Sequence, residues 1–540
     1  AFRETFTLRT PHEYWITARD FHFQGIMGTG FVIRSYDSGL IEPRYFNLHP
    51  FWIGLFVEMF GLEPGMWLAT PFTALCGISG IFLLAWALAG WSAGMISLAL
   101  LSIFVLQVWF GRYITTEMPM QAAIMNGLAW FLIFRAGKRS GVAMVAAGTM
   151  LATAHFARID SVLIIPAVAA AAGIVICTGR SLRDFFTFGA AYTALTVPAV
   201  FMAVTRFHSY TLETLRHVRC EHFNPGYCAA GIAAVALAVA VSLGIRRRRQ
   251  QILTLLDKHW NRIWSVILII AGTALVYGYV LRPILHPPDY TAFHQADQSV
   301  KSYSLNQMTL RWLGWYLSPP GLFAACAGLL MLLRKTWSVK TAVVWSILSI
   351  YIVYFMHKIH CTPYHYWGMR RYITVVFPVL FIGLGTIADA ALTAARNRKN
   401  RLYVAGIIGA LLALAVFLGF DQRLIFRFNH WEGAVDTLES IAETVPEHHS
   451  RLILPRYPGI YLHMPLRLVF NRNTYLLNST WNADVLVSTI HTWLAAGDRV
   501  FFMNPSELSP DMIRDLQQRY RLNLHRATND APLFPMLRNT

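Results

Sequence analysis

The sequence predicts a mostly helical, polytopic membrane protein that ends in a small α/β domain. Of its 540 residues, 55% are hydrophobic and only 14% are charged, whereas charged residues make up about a quarter of an average soluble domain. Twelve apolar runs are long enough to cross the roughly 30 Å hydrocarbon core of a bilayer, which takes about 20 helical residues. After residue 420 the chain loses this apolar character.

The apolar runs define the predicted spans. They lie at residues 67–90, 93–110, 118–136, 140–157, 159–178, 185–206, 228–245, 262–282, 316–334, 339–357, 370–393 and 402–420. The run at 51–62 is too short to span and predicts an interfacial helix. Basic clusters, such as Arg246 to Arg249 and Arg396 to Arg401, fall in every second loop, which makes those loops cytoplasmic. Because membrane orientation explains the net charge of +18, we expect no nucleic-acid partner.

The alternate loops are then non-cytoplasmic. Because they include residue 1, we expect a thirteenth spanning helix upstream of Ala1. We predict a first non-cytoplasmic loop with interfacial helices (1–66), a transmembrane helical domain (67–420) and a non-cytoplasmic α/β domain (421–540). The expected location is the inner cell membrane, with the active site and the C-terminal domain on the periplasmic side.

The α/β domain is predicted from alternating elements. Helix-like stretches at 430–446, 483–496 and 509–520 alternate with strand-like stretches at 451–454, 499–503 and 522–525. No glycine-rich phosphate loop opens any of these helices, so the sequence predicts no nucleotide site there.

Ionisable residues collect at the outer ends of the predicted spans. Such side chains are costly near lipid and are therefore usually functional or paired. The outer loops hold Glu13, Asp20, His49, Glu117, Arg158, Asp160, His365, Arg370 and Arg371. Structural alternatives are that Glu117 caps a helix, that Arg158 and Asp160 neutralise each other, and that the paired arginines extend toward lipid headgroups.

The segment from His357 to Tyr372 is dense in hydrogen-bond donors and aromatic rings. Guanidinium groups are weakly hydrated and bind phosphate in a bidentate manner, so Arg370 and Arg371 suit a phosphate or a diphosphate. The spacing of His365 and its neighbouring His and Cys residues matches no standard zinc site, and we predict no metal ligands.

Five landmarks of this sequence resemble those of the GT-C superfamily of glycosyltransferases, in the expected order. They are HEYWITARDFHFQG, LHPFWIGLFVEMFG, RYITTEMP, ARIDSVLIIP and RRYITVVFPVLFIGLG. The similarity is greatest to the bacterial relatives of protein O-mannosyltransferases and of the lipid A aminoarabinose transferase, and it covers most of the first 400 residues. His12 stands where the superfamily usually has an acid.

The resemblance implies a role for each landmark residue. Glu13 becomes the catalytic base, with Asp20 next. The implied substrate-binding residues are His49, Glu117, Arg158, Asp160, Arg371 and Tyr372. The donor-dense segment adds His365 and Arg370 as further candidates for substrate binding. The implied donor is a polyprenyl-phosphate-linked sugar, bound at the non-cytoplasmic face of the bilayer. Some members of the superfamily require a divalent cation and others do not, and the sequence leaves this requirement open.

The predicted function is therefore transfer of a sugar from a polyprenyl phosphate to a protein, lipid or glycan acceptor, with inversion at the anomeric carbon. Two alternatives stay open. One is a transporter or flippase of lipid-linked saccharides, which would place ionisable residues near the bilayer midplane. The other is a non-catalytic membrane subunit with the same fold.

Overall fold

A computed structural model describes residues 26–27, 31–35, 40–43, 45–133, 140–178, 182–207, 210–211, 249–287, 306–357, 365–420, 423, 433–454, 462–463, 465–467, 469–476 and 483–503. The chain divides into two compact units. One comprises residues 46–427, and the other comprises residues 1–45 with 428–540.

The larger unit is helical throughout its described ranges. Its helices are α1 (Leu48–Phe60), α2 (Leu62–Ala89), α3 (Trp91–Ser102), α4 (Val105–Arg112), α5 (Glu117–Ile133), α6 (Ser140–Thr153), α7 (Ile164–Thr178), α8 (Leu182–Thr205), α9 (Arg249–Val276), α10 (Arg282–Leu285), α11 (Thr309–Leu317), α12 (Pro319–Thr336), α13 (Ala342–His357), α14 (His365–Ile373), α15 (Val376–Asn397) and α16 (Arg401–Phe420). A π-helical turn, Tyr277–Leu281, joins α9 to α10.

Seven helical segments of the described ranges are long and apolar enough to cross a bilayer, or nine if each of two bent pairs counts as one span. The twelve predicted spans are therefore not confirmed. The predicted span at 93–110 falls on the bent pair α3 and α4, which meet at 66°. The spans predicted at 118–136 and 140–157 fall on the shorter helices α5 and α6. The span predicted at 228–245 lies outside the described residues.

The second bent pair, α11 and α12, turns by 101° at Ser318. Ser318 has a φ of +62°, which is costly for a residue with a side chain, and Pro319 begins the next helix. The Ser318 hydroxyl accepts a hydrogen bond from the Gly321 amide, so one orphan N–H of the new helix is satisfied. The chain is thus turned sharply without leaving its helix start uncapped.

The core of the helical unit is aromatic where the bent helices meet α15. The ring of Phe104, at the break between α3 and α4, lies 4.7 Å from Phe377 and 5.1 Å from Phe381. Helix α12 approaches α15 closely, because a Cβ added to Gly328 would collide with the carbonyl of Gly383. Glycine is required at this crossing for steric reasons.

The smaller unit contains two three-stranded sheets. Strands β1 (Ile26–Met27), β2 (Phe31–Ser35) and β3 (Leu40–Pro43) form an antiparallel sheet within the first predicted loop, for which the sequence predicted only interfacial helices. In the C-terminal part, helix α17 (Ala434–Thr444) precedes β4 (Ser450–Leu454) and β5 (Thr474–Leu476), and helix α18 (Ala483–Ala495) precedes β6 (Arg499–Phe502).

The C-terminal sheet is parallel, with the order β5-β4-β6. Alternate side chains of the central strand enter different clusters: Leu452 and Leu454 pack with Leu462 and Leu466, whereas Ile453 packs with residues of α18. Burial on both faces is typical of a parallel strand. The strands predicted at 451–454 and 499–503 are therefore found, and β5 is an addition. The elements predicted at 509–520 and 522–525 lie outside the described residues.

Candidate functional site

A buried arginine lies at the centre of the charged residues. Helix α6 ends at Thr153, and two short 3-10 turns follow it, with Arg158 in extended backbone between them. Its guanidinium donates from Nε to Asp160 Oδ1 at 2.9 Å and from Nη2 to Asp160 Oδ2 at 3.2 Å. Its Nη1 forms an ion pair with the carboxylate of Glu117, the first residue of α5. Arg158 therefore forms ion pairs with carboxylates from two separate segments of the chain, Glu117 and Asp160.

Two further arginines lie beside these carboxylates. Arg370 Nε is 3.7 Å from Glu117 Oε1, and Arg371 Nη1 is 3.9 Å from Asp160 Oδ2. Both belong to α14, and their side chains are 23% and 17% exposed, whereas that of Glu117 is only 1% exposed. We refer to Glu117, Arg158, Asp160, Arg370 and Arg371 as the charge cluster.

The charge cluster has three guanidinium groups and two carboxylates, hence one surplus positive charge. Arg158 is engaged with both carboxylates, so the surplus lies with the two partly exposed arginines of α14. The Nε atom of Arg371 is buried and has no hydrogen-bond partner within the described part of the chain. A buried donor of this kind is costly unless a ligand or water satisfies it.

The sequence allowed that Arg158 and Asp160 neutralise each other. The structure shows this ion pair, and Glu117 pairs with Arg158 as well. The carboxylate of Glu117 contacts Arg158 rather than serving only the start of its own helix. A buried pair is stable only when its hydrogen bonds offset the loss of water, and here Arg158 makes hydrogen bonds to both acids.

The imidazole of His49 is also buried close to the charge cluster. His49 lies in the first turn of α1 and is 3% exposed. Its Nε2 is 3.4 Å from Thr70 Oγ1, and its Nδ1 is buried with no hydrogen-bond partner among the described residues. Burial lowers the pKa of His49 to about 4, although the negative charge of Glu117 acts in the opposite direction. His49 is therefore neutral at physiological pH.

Tyr210 is a member of this site that the sequence did not single out. Its phenol interacts electrostatically with Arg158, Arg371, Asp160 and Arg370, and burial raises the pKa of Tyr210, so the phenol is neutral. Its ring meets that of Phe46 edge to face at 5.6 Å. No local motif marks this tyrosine in the sequence.

Two buried glutamines connect the helices that carry the site. Gln107 in α4 and Gln121 in α5 exchange reciprocal amide hydrogen bonds of 3.0 and 2.9 Å. Gln121 also donates to the carbonyl of Ile373 at 2.6 Å, where α14 ends. The bond from Gln121 to Ile373 links the end of α14, and with it the segment that carries the two arginines, to α5.

The remaining predicted residues have different positions. The side chain of Tyr372 is fully buried, and its hydroxyl donates to the carbonyl of Phe355 at 2.9 Å, so it packs within the core. His365 begins α14, but its side chain lies outside the described part of the structure. Glu13 and Asp20 also lie outside the described residues.

Within the described ranges, no three side chains of His, Cys, Asp or Glu come together as metal ligands would.

No protein-family model matches the chain, and no curated protein sequence does. Among solved structures, the chain is similar to the oligosaccharyltransferase AglB from Archaeoglobus fulgidus in complex with an inhibitory peptide and a dolichol-phosphate. The identity is 13% and the TM-score 0.48, over 80% of this chain and 56% of that one. It is also similar to ArnT from Cupriavidus metallidurans in the apo state, with 14% identity and a TM-score of 0.35, over 94% of this chain and 93% of that one.

Both are GT-C membrane glycosyltransferases. This is the superfamily that the sequence landmarks resemble. The chain spans a little over half the length of the archaeal structures that it matches.

Proposed function

We propose that this chain is a glycosyltransferase that moves a sugar from a polyprenyl-phosphate-linked donor to a protein, lipid or glycan acceptor on the non-cytoplasmic face of a membrane. The observation that carries the proposal is the charge cluster. It combines a surplus positive charge, two partly exposed guanidinium groups and a buried Nε donor on Arg371 that has no partner among the described residues.

The two arginines suit the leaving group of such a reaction. When the bond between the anomeric carbon and the phosphate oxygen breaks, the phosphate gains negative charge. Preorganised cations aimed at this charge favour the transition state over the ground state. Arg371 and Arg370 would bind the phosphate, while Arg158 holds the two carboxylates that set their position.

The acceptor requires a base. A hydroxyl of the acceptor attacks the anomeric carbon, and its proton passes to a carboxylate, for which we propose Glu13, with Asp20 as the second candidate. A single displacement of this kind inverts the anomeric configuration. The neutral imidazole of His49, whose Nδ1 is buried without a partner among the described residues, is a candidate contact for a sugar hydroxyl.

A transporter of lipid-linked saccharides is the second candidate, and the bent helix pairs favour it, because transporter sites are formed at broken helices. However, the break between α3 and α4 is lined by aromatic rings, and the charged residues lie at helix ends instead. A buried aromatic break offers a charged saccharide no partner.

The deciding experiment compares transfer by the purified full chain and its variants, with labelled polyprenyl-phosphate sugars and candidate acceptors. We expect Glu13→Gln to lower the transfer rate about 10²- to 10⁴-fold. Arg371→Gln should raise the KM for the donor. The matched controls are Glu58→Gln and Arg398→Gln, which change exposed residues of the same types and should leave transfer unchanged.

Transfer that survives Glu13→Gln would remove Glu13 as the base, and a product that retains the donor's anomeric configuration would exclude the single displacement. If no donor is consumed, but a fluorescent polyprenyl-phosphate lipid moves across vesicles containing the protein, the transporter replaces the proposed function.

A further inference from the structure

A buried hydrogen-bond relay lies behind the turn that carries Arg158 and Asp160. The Nδ1 atom of His155 is 2.9 Å from Ser161 Oγ, and its Nε2 atom is 2.8 Å from the hydroxyl of Tyr192 in α8. The Ser161 hydroxyl in turn lies 2.6 Å from the carbonyl oxygen of Arg158. All three side chains of the relay are at least 94% buried.

The direction of every hydrogen bond in the relay follows from its end. A carbonyl oxygen only accepts, so the single proton of the Ser161 hydroxyl is donated to the Arg158 carbonyl. The Ser161 oxygen must then accept from His155, whose Nδ1 carries the proton. In a neutral imidazole, His155 Nε2 then accepts from the Tyr192 hydroxyl. The neutral form that fits the relay is therefore the Nδ1-protonated tautomer.

The relay holds the carbonyl of Arg158, the residue just before the 3-10 turn Ile159–Leu163. Inside that turn, the carbonyl of Asp160 accepts a hydrogen bond of 3.1 Å from the hydroxyl of Tyr351. The carbonyls of both charged residues are thus held by side-chain hydroxyl groups. Since Arg158 and Asp160 are only two positions apart, fixing these carbonyls fixes the direction in which both charged side chains leave the backbone.

We propose that His155 is a positioning residue for the phosphate-binding arginines. It sets the turn of Arg158 and Asp160, and Asp160 in turn is the carboxylate beside Arg371. This inference rests on the proposed function, because it assumes that Arg371 binds the phosphate of the donor. It adds to that function a residue that contacts neither substrate nor any charge of the cluster in the described part of the chain.

Two substitutions separate positioning from simple packing. His155→Asn keeps an amide N–H at the place of Nδ1 and loses only the bond to Tyr192. His155→Phe keeps the volume of the ring and loses both bonds. A third variant, Tyr192→Phe, removes the hydroxyl that donates to Nε2 and leaves the Ser161 side of the relay intact.

The first measurement determines the tautomer of the His155 imidazole. In the ¹⁵N solid-state NMR spectrum of the histidine-labelled full chain in lipid, the signals that His155→Asn removes should be those of an Nδ1-protonated neutral imidazole. Signals of the opposite tautomer, or of an imidazolium, would overturn the relay.

The second measurement is the binding of undecaprenyl phosphate, followed by thermal shift, together with the KM for the lipid-linked donor. We expect binding to weaken about tenfold in His155→Phe, as the loss of two buried hydrogen bonds implies. It should weaken less than about threefold in His155→Asn and Tyr192→Phe, each of which loses one. A purely structural role would lower the melting temperature of all three and leave the affinity of the folded protein unchanged, which would overturn the positioning role alone.

Failure of the proposed function has a different signature. If the wild-type chain shows no thermal shift with undecaprenyl phosphate, the phosphate site itself is refuted, and the role of His155 falls with it. If the wild type binds and His155→Phe binds equally well, the phosphate site stands and only the inference about His155 is wrong.

Discussion

Replacing Arg158 by methionine tests the charge cluster most directly, because within the described ranges Arg158 forms an ion pair with each of the two acids. Methionine keeps much of the side-chain length but has no charge and no donor. Glu117 and Asp160, which are 1% and 7% exposed, then lose their closest hydrogen-bonded cation. The arginines of α14 remain, but at 3.7 and 3.9 Å they are beyond good hydrogen-bond distance.

The expected cost follows from this burial. Removing one partner of a buried ion pair destabilises a protein by about 3–5 kcal/mol, since an uncompensated charge stays in a medium of low dielectric. An exposed pair costs only about 0–1 kcal/mol. We therefore expect Arg158→Met to lower the free energy of unfolding by about 3–5 kcal/mol. The matched control is Arg183→Met at an exposed position of α8, which should cost under about 1 kcal/mol.

A triple variant, with Glu117→Gln, Arg158→Met and Asp160→Asn, gives a second comparison. The three changes remove both buried carboxylates together with Arg158, so only the partly exposed arginines of α14 keep their charge. Replacing buried ion pairs as a group is often close to neutral. The triple variant should therefore be more stable than Arg158→Met alone, although neither should bind undecaprenyl phosphate as the wild type does.

The assay is chemical denaturation in mixed micelles, followed by tryptophan fluorescence, with the midpoint and the slope compared between variants. The reasoning would be refuted if Arg158→Met cost no more than the exposed control. It would also be refuted if the triple variant were less stable than the single one, because the carboxylates would then not be the source of the instability.

Three further predictions concern other contacts. Burial lowers the pKa of His463 to about 3, so between about pH 6.5 and pH 3 the unfolded state takes up a proton there and the folded state does not. The free energy of unfolding of the C-terminal sheet should therefore fall as the pH is lowered through this range. Limited proteolysis of the full chain should show a smaller change with pH in His463→Asn than in the wild type. Gln121→Leu should cost about 1–3 kcal/mol in unfolding and more than Gln107→Leu, because it also removes the donor to the carbonyl that ends α14. Gly328→Ala should lower the melting temperature of the helical unit, since the new methyl meets the backbone of α15, whereas Gly406→Ala, with open space around it, should not.

The apolar runs and the acids at helix ends were predictable from the sequence because both follow from the cost of polar groups in lipid. Length alone predicts helices such as α2, α7 and α15, and a carboxylate at the end of such a helix needs a partner. The predicted number of spans was less secure, because bent helices have the same composition as straight ones. Only the conformation at Ser318 and the break beside Phe104 reveal the bends.

The site itself was only partly predictable. A contact between Arg158 and Asp160 was predictable because they are two residues apart. Their contact with Glu117 was not predicted. Tyr210 was missed because its neighbours come from distant segments. Gln107, Gln121 and His155 could have been noticed because each is a polar residue in an otherwise apolar stretch. The sequence does not indicate, however, which distant residue each of them contacts.

The charge cluster also has a consequence for the order of biosynthesis. Its parts are far apart in the sequence, because Glu117, Arg158 and Asp160 all precede α14, which begins only at His365. Until α14 has been made, two carboxylates face one guanidinium, and the nascent site has an excess of one negative charge. The arginines of α14 reverse that sign. A chain that still lacks α14 would therefore repel a phosphate, and the site would become able to hold one only after α14 has been synthesised.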